Sequence, residues 1–120
     1  MERIKIEENK GNKIIKVDLS NLKIEEIVEK IAEFTELTIS SKINLSVFDI
    51  TNTFQDNKIK EASLDSMNQI NKALGVHYTA MVGFTTMQKY LAASYSDNLY
   101  YASSWEDAYE WLDKKAKEHA

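Results

Sequence analysis

Polar side chains follow two apolar runs of this sequence, and their types could bind a small anionic group. The first run, Leu45 to Ile50, contains an aspartate near its end, and the second run, from residue 76, ends at a glycine. These two places offer a carboxylate, hydroxyls, an amide and an amine. The groups belong to Asp49, Thr51, Asn52, Thr85, Thr86 and Lys89, and Gly83 stands at the turn that follows the second run. The carboxyl ends of parallel strands meet at one edge of a sheet, where α/β folds place their ligands and contacts. We therefore expect these residues to form one ligand-binding or contact edge.

Two interpretations of this edge remain open. In the first, Asp49 accepts hydrogen bonds from backbone N–H groups and holds the following loop, since a carboxylate near the core must be satisfied. In the second, Asp49, Thr51, Thr85 and Lys89 line a small polar pocket, and a helix beginning at Thr85 adds about half a positive charge toward an anion. The Gly83 segment lacks the Gly-Lys-Ser/Thr ending of a phosphate-binding loop, so nucleotide binding is not favoured.

The sequence offers little for catalysis or metal binding. His77 stands at the start of an apolar run and His119 is next to the last residue, and neither has a second histidine or a glutamate at ligand spacing. The chain has 0 Cys, and it has no Gly-x-Ser-x-Gly segment for a nucleophilic serine. We predict no enzymatic activity, no metal ion and no cofactor.

Aromatic side chains concentrate between residues 90 and 111. They favour either core packing of the last helices or an interface, because tyrosine and tryptophan are enriched where proteins meet. Trp105 and Tyr109 are one helical turn apart and lie off the apolar stripe that contains Ala108 and Leu112. This pair is the candidate contact for a protein partner or for a homodimer.

Composition limits the class of protein. The 120 residues suit a single domain spanning residues 1–120, and Lys plus Arg number 15 against 19 Asp plus Glu. The resulting charge of −4 argues against a nucleic-acid or anionic-membrane partner. No apolar run is long enough to span a membrane, the first six residues lack the apolar stretch of a signal peptide, and the lack of cysteine fits a reducing compartment. We expect a cytoplasmic protein.

The order of apolar patterns predicts an α/β fold. A two-strand hairpin is followed by three helix–strand pairs and a last helix, and strands separated by helices form parallel sheets with right-handed crossovers. The predicted strands are a hairpin over residues 4–18, Leu45 to Ile50, 77–83 and Leu99 to Tyr101. The predicted helices begin at Ile24, run around Ile59 to Leu74 with Gly75 as the C-terminal stop, run through Met87 to Tyr95, and begin at Ser104, which forms a capping pattern with Asp107. The expected sheet has five strands, is mostly parallel with an antiparallel N-terminal hairpin, and carries four helices. Its 76–83 strand is interior, and Ile31 and Phe34 are deeply buried.

This order of elements resembles that of STAS domains, and most closely that of their SpoIIAA-like, STAS/SEC14-type relatives. Three segments carry the resemblance: Val47-Phe48-Asp49-Ile50-Thr51-Asn52, Ala80-Met81-Val82-Gly83-Phe84-Thr85, and the stretch from Tyr101 to Leu112 with its Ser-Trp-Glu-Asp-Ala-Tyr-Glu-Trp-Leu segment. They span about residues 43–112. The resemblance implies a non-enzymatic regulatory module that acts through protein–protein contacts or binds a ligand.

One segment departs from the STAS pattern. Phosphoregulated STAS proteins carry an Asp-Ser-Ser-Gly turn whose serine accepts phosphate, whereas this chain has Asp56, Asn57 and Lys58 at that place. Asp56 can cap the next helix, but neither following residue can be phosphorylated by a Ser/Thr kinase. Thr51, Thr53 and Ser63 are the nearby hydroxyls. Phosphate control at this turn is therefore expected to be absent.

Two other functions compete with the regulatory module. One is a carrier or sensor of a small anionic or lipid-like ligand, held in a pocket under the third helix. The other is a receiver-like phosphoacceptor domain, suggested by Asp49 at one strand end and Thr85 after the next. A receiver also needs an acidic pair for Mg²⁺ after its first strand, and Asp18 has no adjacent acid.

Overall fold

A computed structural model describes residues 3–53, 56–83 and 98–118. Its strands are β1 (Ile4–Asn9), β2 (Asn12–Asp18), β3 (Leu45–Asp49), β4 (Tyr78–Val82) and β5 (Leu99–Tyr101), and its helices are α1 (Ile24–Ser41), α2 (Asn57–Leu74) and α3 (Trp105–Glu118). The described residues thus hold three helices rather than the predicted four. The helix expected through Met87 to Tyr95 falls outside the described residues.

The five strands form a mixed sheet in the order β1-β2-β3-β4-β5. β1 and β2 are antiparallel, because the two-residue turn at Lys10 and Gly11, with φ of 51° and 82°, only reverses the chain. The other pairings are parallel, so the sheet is mixed rather than mostly parallel as the sequence predicted. The predicted interior position of the 76–83 strand is confirmed, since β4 lies between β3 and β5 with Ala80 and Val82 buried.

α1 buries one stripe of its surface against the sheet. Ile27, Ile31, Phe34 and Thr38 recur at helical spacing and are buried, while the glutamates of the other face stay in solvent. The helix ends at Lys42, which adopts the left-handed conformation with φ of 60° and returns its N–H to the Thr38 carbonyl at 2.9 Å. The prediction that Ile31 and Phe34 are deeply buried is confirmed, at 6% and 3% exposure.

α2 packs on α1 and covers the same face of the sheet. It begins where the Asp56 carboxylate accepts a hydrogen bond from the Lys58 N–H at 2.7 Å, and it ends at Gly75, whose φ is 86°. Both ends were predicted from the sequence. Ile59 and Lys60 of its first turn line one cavity with Leu19, Ile50 and Thr53, so the start of α2 lies at the end of the molecule where β2 and β3 finish.

α3 covers the opposite face of the sheet. Ser104 caps it by accepting a hydrogen bond from the Asp107 N–H at 3.1 Å, as predicted. Its inner side chains, Ala108 and Leu112, are fully buried against a cluster that includes Val47 and Ala80. Because helices cover both faces, functional side chains reach solvent mainly at the ends of the strands.

Candidate contact edge

The loops that follow β2 and β3 are fastened side by side at the carboxyl ends of the strands. The Leu19 N–H donates to the Asp49 carbonyl at 2.9 Å, and the Asn21 N–H donates to the Thr51 carbonyl at 3.1 Å. The Ile50 N–H reaches the Val82 carbonyl of β4 at 2.9 Å. We call residues 19–22, residues 50–53 and Gly83 the contact edge. These bonds extend the sheet pairing into the loops, so the contact edge has a fixed backbone.

Asp49 holds the loop that follows its own strand. Its Oδ1 atom accepts hydrogen bonds from the Thr51 N–H at 2.9 Å and from the Thr51 hydroxyl at 2.7 Å. The geometry is that of the loop-holding interpretation, in which the carboxylate satisfies local donors.

Asp18 repeats this arrangement on the neighbouring strand, directly opposite Asp49 in the β2–β3 register. Its Oδ1 atom accepts from the Ser20 N–H at 2.9 Å and from the Ser20 hydroxyl at 2.5 Å. Partial burial opposes ionisation, but the Ser20 hydrogen bonds and the charges of Arg3 and Lys16 outweigh it, so the pKa of Asp18 is lowered. Sequence reasoning missed this pair. The signal was present, because Asp18-Leu19-Ser20 and Asp49-Ile50-Thr51 share one Asp-apolar-hydroxyl pattern.

Two asparagines present the exposed surface of the contact edge. Asn21 and Asn52 both adopt the left-handed conformation, with φ of 60° and 54°, which asparagine tolerates better than most residues. The Asn52 Nδ2 atom donates to the Asn21 Oδ1 atom at 2.9 Å, so the side chains bridge the two loops. Asn52 was predicted as a site residue and Asn21 was not. An asparagine in the short loop between a strand and a helix was the available sign.

Gly83 closes the contact edge beside Asp49 and Thr51. Its φ is +80°, and a Cβ atom there would lie 2.9 Å from the Thr51 backbone nitrogen and 3.0 Å from the Asp49 Oδ1 atom. Contacts this close displace the loop, since real Cβ atoms do not approach within about 3 Å. The position therefore needs glycine for both its conformation and its lack of a side chain.

We expect Gly83→Ala to lower the free energy of unfolding by about 2 kcal/mol, because it combines left-handed strain with crowding of the Thr51 backbone. Gly11→Ala is the matched control, since Gly11 has a φ of +82° and open space around it. Urea unfolding of both variants separates the two causes. Equal losses in the two variants would show that crowding at the contact edge is absent.

The remaining residues predicted for this site, Thr85, Thr86 and Lys89, lie outside the described residues. Their part in a polar pocket stays a prediction. Of the nearby hydroxyls, Thr53 donates to the Ile50 carbonyl at 2.8 Å, and Ser63 lies half-buried on α2. Asn57 and Lys58 are exposed in the first turn of α2.

Trp105 and Tyr109 pack together over the hairpin. Their ring centroids are 6.3 Å apart, and the Lys16 ammonium lies 4.4 Å from the Trp105 ring centroid. The Tyr109 hydroxyl donates to the Glu7 carboxylate at 2.8 Å. Burial, this hydrogen bond and the charge of Glu7 raise the pKa of Tyr109 well above its usual range. Both rings thus contact β1 and β2, and their role as an interface stays a prediction.

His77 is enclosed on the other face of the sheet. Its Nε2 atom lies 3.2 Å from the Ser46 hydroxyl, and its Nδ1 atom lies 3.3 Å from the Thr79 hydroxyl. Burial lowers the pKa of His77 to about 4, so its ring is neutral at neutral pH. It borders a cavity of about 180 Å³ between the sheet, α1 and α2, which is lined mainly by apolar side chains such as Phe34 and Ile70. Within the described ranges, no three His, Cys, Asp or Glu side chains are grouped closely enough to hold a metal ion.

Comparison with known proteins identifies the fold. No family model matches the chain, and no curated protein matches its sequence. A solved structure of a Moorella thermoacetica RsbS variant, with a glutamate in place of a serine, superimposes with a TM-score of 0.69 over 97% of this chain and 99% of that one. The chain has a STAS-type, SpoIIAA-like fold. The two sequences share 14% identity, so the likeness concerns the STAS-type fold alone. In the part of the chain that the structure describes, no helix combines the length and the apolar character needed to span a bilayer.

Proposed function

We propose that this chain is a regulatory interaction module of the STAS type, which binds a protein partner through its contact edge. The observation that carries the proposal is the fixed, exposed backbone of that edge. Three backbone hydrogen bonds and the Asn52–Asn21 bridge hold the loops before any partner arrives. A preorganised surface loses little conformational entropy on binding, and that loss is one of the main costs of association.

The proposed role is non-catalytic. The carboxylates of Asp18 and Asp49 each accept two hydrogen bonds from a residue of their own loop, and His77 is held in the interior with both ring nitrogens near hydroxyls. A general base must instead reach the proton that it removes from a substrate. These groups are better suited to holding the loops and the core than to chemistry.

Control of this module by phosphate at the start of α2 is not part of the proposal. Asp56 caps the helix and the next two positions are Asn57 and Lys58, so the first turn offers an amide and an ammonium group instead of a hydroxyl. We infer that partner concentration or a bound ligand regulates the module. The first turn of α2 then belongs to the partner-binding end of the molecule.

The test uses a partner recovered from the native host with the tagged protein, followed by titration of that partner. Asn21→Asp keeps the acceptor for Asn52 and the left-handed conformation while adding a negative charge, and Lys58→Glu reverses a charge in the first turn of α2. Each variant should stay within about 0.5 kcal/mol of wild-type stability, as surface changes usually do. Each should weaken binding by about tenfold or more, as loss of charge complementarity at an interface does.

Lys72→Glu is the matched control, because it makes the same charge change in the last turn of the same helix, far from the contact edge. It should leave binding unchanged. If Asn21→Asp and Lys58→Glu bind normally while Trp105→Ala abolishes binding, the partner uses the aromatic pair on α3 and the contact edge is the wrong surface.

A second candidate function is binding of a small molecule in the cavity beside His77. Its volume of about 180 Å³ exceeds the roughly 150 Å³ that suffices for a benzene-sized molecule, and its lining is mainly apolar. The occupant that fits is a small, mainly apolar molecule, because most of the lining is apolar and the His77 ring is neutral, while Lys60 adds an amine to the lining. Native mass spectrometry of the purified protein separates this function from partner binding, since only a carrier would show a bound mass.

A further inference from the structure

A second surface of the molecule has the shape of a docking site. A groove of about 550 Å³ runs along the outside of the α1–α2 pair. At its floor the Thr35 hydroxyl donates its proton to the Ile31 carbonyl at 2.7 Å. The Ser66 hydroxyl lies 2.5 Å from the Thr35 hydroxyl. Because the Thr35 proton is already used, Ser66 is the donor in this hydrogen bond between the two helices. These short side chains let the helices touch at their base without filling the space above. The groove is therefore open to solvent along its length.

The α1 wall of the groove presents a line of apolar side chains. Val28, Ala32 and Ile39 supply this wall, and Ala62 faces it from α2, followed by the polar Asp65 and Gln69. The α1 positions recur at intervals of four and seven residues, which places them on one line. The line from Val28 to Ile39 is about 16 Å long at 1.5 Å per residue, which equals three turns of a helix lying alongside.

The groove rim carries more acidic than basic side chains. Glu36 and Asp65 line the groove, and Glu25 and Glu29 stand on the same side of α1 by helical spacing. None of the ion pairs among the described residues involves these four carboxylates. By the same spacing Lys58 and Lys72 stand on the Asp65 side of α2, whereas Lys30 lies on the far side of α1 and pairs with Glu33. An occupant with positively charged flanks therefore complements the excess of carboxylates.

We propose that this groove binds an amphipathic helix of a partner protein, with apolar residues at i, i+3, i+4 and i+7 and lysine or arginine on both sides. An apolar wall three turns long fits one face of a helix lying alongside, and basic flanks complement the excess of carboxylates at the rim. A second copy of this chain is a poorer occupant, because α1, α2 and α3 each already bury their apolar stripes. The groove lies beside α1 and α2 and not on the loops of the contact edge, so the two surfaces can be tested independently.

The probe is a fluorescent 16-residue helical peptide with leucines at this spacing and lysines on both flanks, compared with a peptide carrying glutamates in place of the lysines. Fluorescence anisotropy should show binding of the lysine peptide only, and binding should weaken as salt is raised. The double variant Glu36→Lys and Asp65→Lys should weaken binding by about tenfold or more. Ala32→Trp, which fills an exposed part of the groove, should abolish it.

The double variant Glu106→Lys and Glu110→Lys is the matched control, because it makes the same charge change on α3, which covers the opposite face of the sheet, and it should bind the peptide as wild type does. Circular dichroism confirms that each variant is folded, and amide shifts in nuclear magnetic resonance spectra should change along α1 and α2 only. If the Glu36→Lys and Asp65→Lys double variant binds the lysine peptide as tightly as wild type does, the proposal is overturned. Loss of peptide binding in Lys58→Glu alone would also overturn it. Self-association that Ala32→Trp abolishes would also overturn it, since a second copy would then occupy the groove.

Discussion

Truncation of Phe34 to alanine is expected to lower the free energy of unfolding by about 3–5 kcal/mol, a large share of the stability of a typical domain. The Phe34 ring is 3% exposed, meets the Phe48 ring edge-on with centroids 4.7 Å apart, and lies 5.8 Å from the His77 ring. Alanine removes these contacts and leaves a cavity in the main core, which surrounding side chains only partly fill. Urea unfolding at neutral pH measures the loss.

Leu64→Ala is the control for this experiment. Leu64 is 41% exposed on α2, so its truncation should change the free energy of unfolding little. A loss below about 1 kcal/mol for Phe34→Ala would mean that the α1 stripe does not face the core. The STAS-type arrangement of α1 on the sheet would then be wrong.

Acidification is expected to destabilise the protein through His77 by roughly 3 kcal/mol, at 1.36 kcal/mol for each unit of pKa difference. Burial lowers the pKa of His77 from 6.5 to about 4, so the unfolded chain takes up this proton before the folded one does. The stability is therefore complete above pH 6.5 and is lost as the pH falls from 6.5 toward 4. Urea unfolding between pH 7 and pH 4 gives the curve of the free energy of unfolding against pH.

His77→Asn removes the titrating ring and should flatten the curve between pH 6.5 and pH 4. The carboxyls of Glu7 and Asp18, whose pKa values are lowered, add their own loss at still lower pH and are common to both proteins. If wild type and His77→Asn lose stability in parallel from pH 7 to pH 4, the His77 ring is accessible to solvent in the folded state.

Local sequence patterns were sufficient to predict most of the described elements. The stripe of α1, the Asp56 and Ser104 caps and the Gly75 end each rest on residues close together in the chain, and each was found where predicted. The helix count was predicted as four, and the described residues contain three.

The candidate site was harder to predict because it depends on which residues meet across strands. Asp49, Thr51 and Gly83 were expected together and are together, because parallel strands in register bring their ends to one edge. Asn21 and Asp18 were missed, since their part depends on β2 lying beside β3. The aromatic pair was predicted to be a partner contact, which stays a prediction; that its rings meet Lys16 and Glu7 of the hairpin, 89 and 102 residues earlier in the chain, was not predicted.

The proposed interaction function and the STAS-type fold are consistent with each other. The fold covers both faces of the sheet with helices, which leaves the ends of the strands as the place where loops can present polar groups. In this chain those loops are joined by hydrogen bonds from β2 to β4. Under the proposed function, binding depends on the shape and charge of this end of the molecule.

Site-specific photo-cross-linking in the native host is the most direct test of partner binding at the end of the molecule that holds the contact edge and the first turn of α2. A photoreactive residue is placed at Lys58, in the first turn of α2, and in separate proteins at Lys72 and at Glu110, which are exposed on the last turn of α2 and on α3. We predict one discrete cross-linked product from position 58 and none from positions 72 and 110. A product from position 110 with none from position 58 would contradict the proposed edge.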